Sequence, residues 1–123
     1  MQKIIYTDLD GTLLDRENYL YQDAIESLDL IKEKNIPLIF CTSKTRSEIV
    51  KFRKKVDNIH PFISENGGGI FIPKNYFDFD VSFDLEDENF YIINLGSDYK
   101  QLIKVIDELK KDFEIKSFID MSI

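Results

Sequence analysis

Asp8 and Asp10 are two carboxylates two residues apart, at the end of an apolar run and ahead of a Gly-Thr turn, in the string KIIYTDLDGTLLD. At about 4 to 6 Å their mutual repulsion is roughly 3 kcal/mol at an effective dielectric of about 20, so such a pair can divide its duties. Phosphoryl transfer uses that division. Asp8, at a strand tip, can attack phosphorus and form an aspartyl-phosphate. Asp10, in the turn, can protonate the departing alkoxide and then deprotonate the water that hydrolyses the intermediate. Gly11 lets the backbone turn tightly and present amides to phosphoryl oxygens. A dianionic phosphate beside two carboxylates requires a cation, and a hard, oxygen-seeking Mg²⁺ with few protein ligands is the expected one. The same D-x-D-G string opens an EF-hand calcium loop, but that loop needs a preceding helix and an acid at its twelfth position, where Tyr19 stands.

Such chemistry has to be held by a scaffold, and the chain supplies one in order. Residues 3–6 are β-branched and aromatic, too few for a helix, and read as a buried strand that delivers Asp8 to its carboxyl end. Residues 22–34 carry Ala24, Leu28 and Ile31 at helical spacing, flanked by Ile25, and Asn35 ahead of Ile36-Pro37 ends the helix. The next apolar run, 36–41, stops at the small polar residues Thr42 and Ser43. Its unbroken apolarity predicts a strand covered on both faces, as in a parallel sheet, with Cys41 packed inside. Residues 45–57 form the following helix, capped by Thr45 or Ser47, with Ile49, Phe52 and Val56 as its stripe. Thr42 therefore offers a hydroxyl, and the helix start offers free amides, at the end of a strand adjacent to the first. Residues 61–64 read as a third strand, and Glu65-Asn66-Gly67-Gly68-Gly69 turns the chain into 70–72. The fold class is α/β: a doubly wound, Rossmann-like parallel sheet with right-handed crossovers.

Beyond Tyr76 the character changes. Phe77, Phe79, Val81 and Phe83 alternate with Asp78, Asp80, Ser82 and Asp84, the pattern of a strand with one wet face. The acidic run 84–88 marks a boundary, dividing the chain into residues 1–84, part of a core domain, and residues 85–123, the beginning of a second α/β unit. In that unit residues 90–95 predict a strand, Gly96-Ser97 a turn, and a helix follows from Asp98 with Tyr99, Leu102, Ile103, Ile106, Leu109 and Phe113 on one face. Residues 115–119 predict a last strand.

Composition narrows the partners. At 123 residues, with 43% hydrophobic and 32% charged side chains, the chain can bury roughly two-thirds of its unfolded surface around a real core. The net charge of −7 arises in residues 76–99, which hold seven acids and no Lys or Arg; the remaining sixteen acids balance sixteen bases. Neither nucleic acid nor an anionic membrane is an expected partner. No apolar run approaches the roughly 20 residues that span a bilayer, and one cysteine allows no disulfide framework, so a cytoplasmic location is expected.

The apolar strand leading into DLDGT, with a second apolar strand ending in Thr42, resembles the first two motifs of the haloacid dehalogenase superfamily of phosphatases. IPLIFCTSKTRSEI, with SENGG, IPKNYF and the tail FIDMSI, further resembles the phosphatase family that acts on mannosyl-3-phosphoglycerate, whose CTSKT stands where relatives carry TGR. The resemblance covers the whole chain. It implies Mg²⁺-dependent hydrolysis of a phosphorylated sugar-glycerate through an aspartyl-phosphate. Asp8 is then nucleophile and metal ligand, Asp10 acid/base and metal ligand through its carbonyl, and Thr42 the phosphate anchor. Ser43, Lys44 and Arg46 either face the substrate's anionic groups or are solvated; Glu65, Asn66 and Gly67 either contact substrate or form a hairpin turn. The family's third-motif lysine and fourth-motif acidic pair have no counterpart, because the resemblance ends inside the cap domain. A chain without them is expected to be nearly inactive alone, with an exposed apolar face or an unpaired edge that pairs with itself or with a complementary C-terminal half. Two alternatives are a broad sugar-phosphate phosphatase and a non-catalytic module.

Overall fold

The structure is a computed structural model that describes residues 1–116 and residue 120. Three short apolar strands, β1 (Ile5–Thr7), β2 (Leu38–Cys41) and β3 (Phe62–Ser64), pair in parallel in the order they occur. A 3-10 turn at Gln22–Ala24 leads into helix α1 (Ile25–Glu33), which connects β1 to β2, and α2 (Arg46–Lys55) connects β2 to β3. These are the two βα units read from the sequence. After β3 the direction of pairing changes: β4 (Gly69–Pro73), β5 (Leu85–Glu86) and β6 (Phe90–Asn94) join antiparallel, giving a six-stranded sheet in the order β1-β2-β3-β4-β6-β5. The sheet therefore runs across residue 84: the change there is one of composition, not a break in hydrogen bonding.

Strand register sets the core. Thr7, Phe40, Phe62, Phe71 and Ile92 are successive partners across five strands, and side chains of paired residues share a face. On that face Phe40, Phe62 and Phe71 meet Leu28 from α1 and Ile49, Phe52 and Val56 from α2 in one cluster. Phe62 is fully buried, stacks on Phe71 at 4.8 Å and meets Phe90 edge-on at 5.5 Å. Arg53 of α2 is buried as well; its guanidinium lies 5.0 Å over Phe62 and donates to the His60 carbonyl at 2.8 Å. Burial pushes its pKa down.

The other face carries Tyr6 beside Ile39, and Cys41 beside Ile63 and Ile70. Ile39 is buried there, but Tyr6 is 63% exposed and Cys41 is exposed. The expectation of a packed Cys41 is corrected: alternation turns it away from the face that α1 and α2 cover. β1 also forms an end of the sheet, with β2 as its one partner.

The predicted strand at 76–84 does not form; this segment is turns and irregular chain, with Phe77, Phe79 and Phe83 exposed. Its alternation satisfies a strand pattern, but β4 is already paired on both sides, by β3 and β6, and the free side of β6 takes β5. No sheet edge is left for it. Helix α3 (Tyr99–Leu109) begins at Asp98, whose carboxylate accepts from Lys100 N at 3.3 Å, and none of its residues is buried. The strand expected at 115–119 and most of the FIDMSI tail lie outside the described residues, and Ile115 and Lys116 are in neither helix nor strand.

Candidate active site

Parallel pairing of β1 with β2 brings two carboxyl ends together. Asp8 is the first residue past β1 and Thr42 the first past β2, with Thr7 opposite Phe40 in the register that precedes them. Asp8 is exposed, and its Oδ1 accepts the Leu9 amide at 2.7 Å. Leu9 is fully buried, and its carbonyl receives the amides of Thr12 at 3.2 Å and Leu14 at 2.8 Å, closing a tight loop. Gly11 donates to Leu14 O at 2.8 Å with φ +73°, a conformation that disfavours any residue with a Cβ. Leu9 and Leu14 thus pin the loop from below while Asp8 and Asp10 stay at the surface.

Thr42 is 3% exposed and joins three segments. Its Oγ1 accepts Lys44 N at 3.2 Å, its amide donates to Ile63 O at 3.2 Å, and its carbonyl accepts Asn66 N at 3.1 Å. A hydroxyl that accepts one bond keeps its proton to donate. Glu65 N donates to Lys44 O at 3.1 Å, so the loop after β3 is fastened onto the loop after β2. Glu65, Asn66 and Gly67 all have positive φ, 51°, 56° and 96°. Two non-glycine residues in the left-handed region cost roughly 1 to 2 kcal/mol each, held here by the bonds to Thr42 and Lys44. The structure therefore brings Asp8, Asp10, Thr42, Ser43, Lys44, Glu65, Asn66 and Gly67 to one end of the sheet.

Lys44 has a specific partner. Its Nζ is 3.1 Å from Asp10 Oδ1, 3.8 Å from Glu48 Oε1 and 5.6 Å from the centre of the Tyr19 ring. Glu48 belongs to the capping box of α2: its Oε2 accepts the Thr45 amide at 2.9 Å and the Thr45 hydroxyl at 2.8 Å. Those bonds, the backbone one foremost, hold the Glu48 pKa below its ordinary value, with Lys44 and Lys51 adding to the effect. Arg46, one turn into α2, goes elsewhere: its guanidinium pairs with Asp87 and lies over Phe71 at 5.1 Å and Phe90 at 5.4 Å. It is committed to the sheet rather than to Asp8 or Asp10. Glu48 and Asp87 were not picked out by the sequence reading. The Thr45-x-x-Glu48 spacing announces the first; nothing local announces the second.

Among the described residues no group of three or more His, Cys, Asp or Glu side chains is placed to hold a metal ion. The available donors are the exposed Asp8 carboxylate and the Asp10 backbone carbonyl, both hard oxygens. A pair of this kind fits Mg²⁺, which takes one or two protein ligands and keeps several waters. No helix among the described residues is long and apolar enough to cross a membrane.

With this geometry in place, comparisons with known proteins converge. A family model described as haloacid dehalogenase-like hydrolase matches residues 5–107. The chain is 47% identical over 98% of its length to a glucosyl-3-phosphoglycerate/mannosyl-3-phosphoglycerate phosphatase of Methanococcoides burtonii, and 35% identical over 96% to a mannosyl-3-phosphoglycerate phosphatase of Pyrococcus furiosus. It spans 45% and 48% of the length of those relatives. Among solved structures, a Thermoplasma acidophilum protein aligns over 96% of this chain and 45% of its own, with a TM-score of 0.68 at 20% identity, a likeness of fold.

Proposed function

The chain belongs to the haloacid dehalogenase-like hydrolases, and on that premise we propose that it forms the nucleophile-bearing part of a phosphatase that hydrolyses mannosyl-3-phosphoglycerate to mannosylglycerate and phosphate. The observation that carries this reading is the meeting of Asp8 and Thr42 at the carboxyl ends of two paired parallel strands, with Asp10 in the loop between. An Asp8 carboxylate oxygen attacks phosphorus, the ester P–O bond breaks, and Asp10 gives its proton to the departing oxygen. Asp10 then takes a proton from water as that water attacks phosphorus, and phosphate leaves with Asp8 restored. Thr42 donates its hydroxyl proton to a phosphoryl oxygen, and Ser43 and the amides at the start of α2 lie beside the same anion. Mg²⁺, held by the Asp8 carboxylate and the Asp10 carbonyl, would supply the charge neutralisation that the phosphate needs. Glu65, Asn66 and Gly67 face the sugar-glycerate side. The same reading takes the remaining length of the relatives as the segment that covers the outer edge of β1 and the apolar stripe of α3 and brings further charged groups to the site.

The test is phosphate release from mannosyl-3-phosphoglycerate and glucosyl-3-phosphoglycerate, with and without Mg²⁺. It is run on this chain alone and on a chimera carrying the C-terminal half of the Methanococcoides burtonii relative. The reading expects Mg²⁺-dependent release by the chimera, far less by the chain alone, and loss in Asp8→Asn. Equal release from simple hexose phosphates would favour a broad sugar-phosphate phosphatase, and no release from any of them would sink the proposal.

A further inference from the structure

Lys44 is the hub of the candidate site, and each of its groups reaches a different part. Its amide donates to Thr42 Oγ1 at 3.2 Å, its carbonyl accepts Glu65 N at 3.1 Å, and its ammonium pairs with Asp10 Oδ1 at 3.1 Å. The ammonium is itself braced from the far side by Glu48 Oε1, while the other oxygen of that carboxylate caps α2 through Thr45. A run of contacts thus leads from the helix start, through Glu48 and Lys44, to one oxygen of Asp10. The side chain is 19% exposed and leans across the Tyr19 ring, so the pair is partly withdrawn from water, where a charge-assisted bond is stronger and less screened.

We propose that Lys44 is a positioning residue for Asp10, fixing the rotation of its carboxylate by holding Oδ1 so that Oδ2 is the oxygen free to exchange a proton with the ester oxygen. This rests on the phosphatase reading for its purpose, but the ion pair stands apart from it. A lysine that served to bind substrate would have its ammonium free to meet an anion; here it already lies between two carboxylates, both fixed by the chain. Arg46, two residues on, offers a contrast within one segment, since its charge is matched by Asp87 and contributes nothing to Asp10.

A positioning role and a substrate-contact role separate in kinetics. In the chimera, Lys44→Met should lower kcat about 10- to 100-fold, the loss expected for one charge-assisted bond, with KM nearly unchanged. Lys44→Arg should recover a large part, because its guanidinium can still hold Oδ1. A rise in KM at constant kcat, or no change in either, would overturn the proposal. The structural arm uses the 123-residue chain: in Asp10→Asn the Lys44 ¹⁵Nζ resonance should move, and in Lys44→Met the amides of residues 10–14 and 65–66 should shift together. Arg46→Met should leave residues 10–14 in place. Absence of the Nζ response would refute the ion pair. If the unmutated chimera releases no phosphate, the phosphatase reading fails and these resonances alone decide whether Lys44 holds Asp10.

Discussion

Replacing Thr42 by Val removes one hydroxyl while keeping shape and volume. At 3% exposure the site cannot readily admit water as a substitute, so the part-buried Lys44 amide that now donates to Oγ1 loses its acceptor. An amide left unsatisfied in such a place costs about 1 to 3 kcal/mol. For a domain of this size each kcal/mol is worth about 3 to 4 °C, so Tm should fall by roughly 3 to 12 °C. Thr42→Ser keeps the hydroxyl and forfeits one buried methyl, about 1 kcal/mol. Urea unfolding followed by tyrosine fluorescence suits the measurement, since the chain has six Tyr and no Trp. The slope against urea should stay constant while the midpoint moves. In the chimera the two variants should also part in rate: Ser close to the parent, Val slower by about 10² to 10³, the loss expected when a donor to developing charge is removed. A Val variant as stable as the parent at the same slope would refute the claim that this hydroxyl organises the loop. Equal rates for Val and Ser would refute its role as phosphate anchor.

Phe62→Ala should cost about 3 to 5 kcal/mol, since a fully buried ring stacked on Phe71 and meeting Phe90 leaves a cavity beneath Arg53; urea unfolding measures it. Glu48 has its pKa held below the ordinary 4.5, chiefly by the Thr45 amide. Its contribution to stability is therefore fully present above that value and lost as pH falls through the lower folded value. Glu48→Gln should flatten that part of the acid limb in a pH series of urea midpoints, while lowering stability at pH 7. Gly69→Ala should destabilise by about 1 to 3 kcal/mol, because a Cβ there would sit 3.0 Å from the Phe71 ring and 3.3 Å from the buried Ser64 hydroxyl; thermal melts read it directly.

What the sequence could disclose follows from which forces are local. Residues 3–6 and 36–41 disclose strands because apolar runs bounded by turn residues have few alternatives, and two strands joined by a helix must lie parallel. That alone places Asp8 beside Thr42. The strand at 76–84 was misread because alternation records which side chains would face water, not whether a neighbouring edge is available. Cys41 was misplaced for a related reason: apolar composition does not say which sheet face the helices cover. The left-handed Glu65 and Asn66 could not be read either, since their conformation is paid for by bonds to Thr42 and Lys44 from another loop. Lys44 and Arg46 look alike in the string CTSKTR, and only the packed structure sends one to Asp10 and the other to Asp87.

The account stands or falls on a phosphoryl group bonded to Asp8. The chimera, mixed with mannosyl-3-phosphoglycerate and Mg²⁺, quenched within one turnover and reduced with borohydride, should yield homoserine at position 8 by peptide mass spectrometry, and none in Asp8→Asn. Phosphate release with no homoserine at position 8, or with homoserine at position 10 instead, would contradict it.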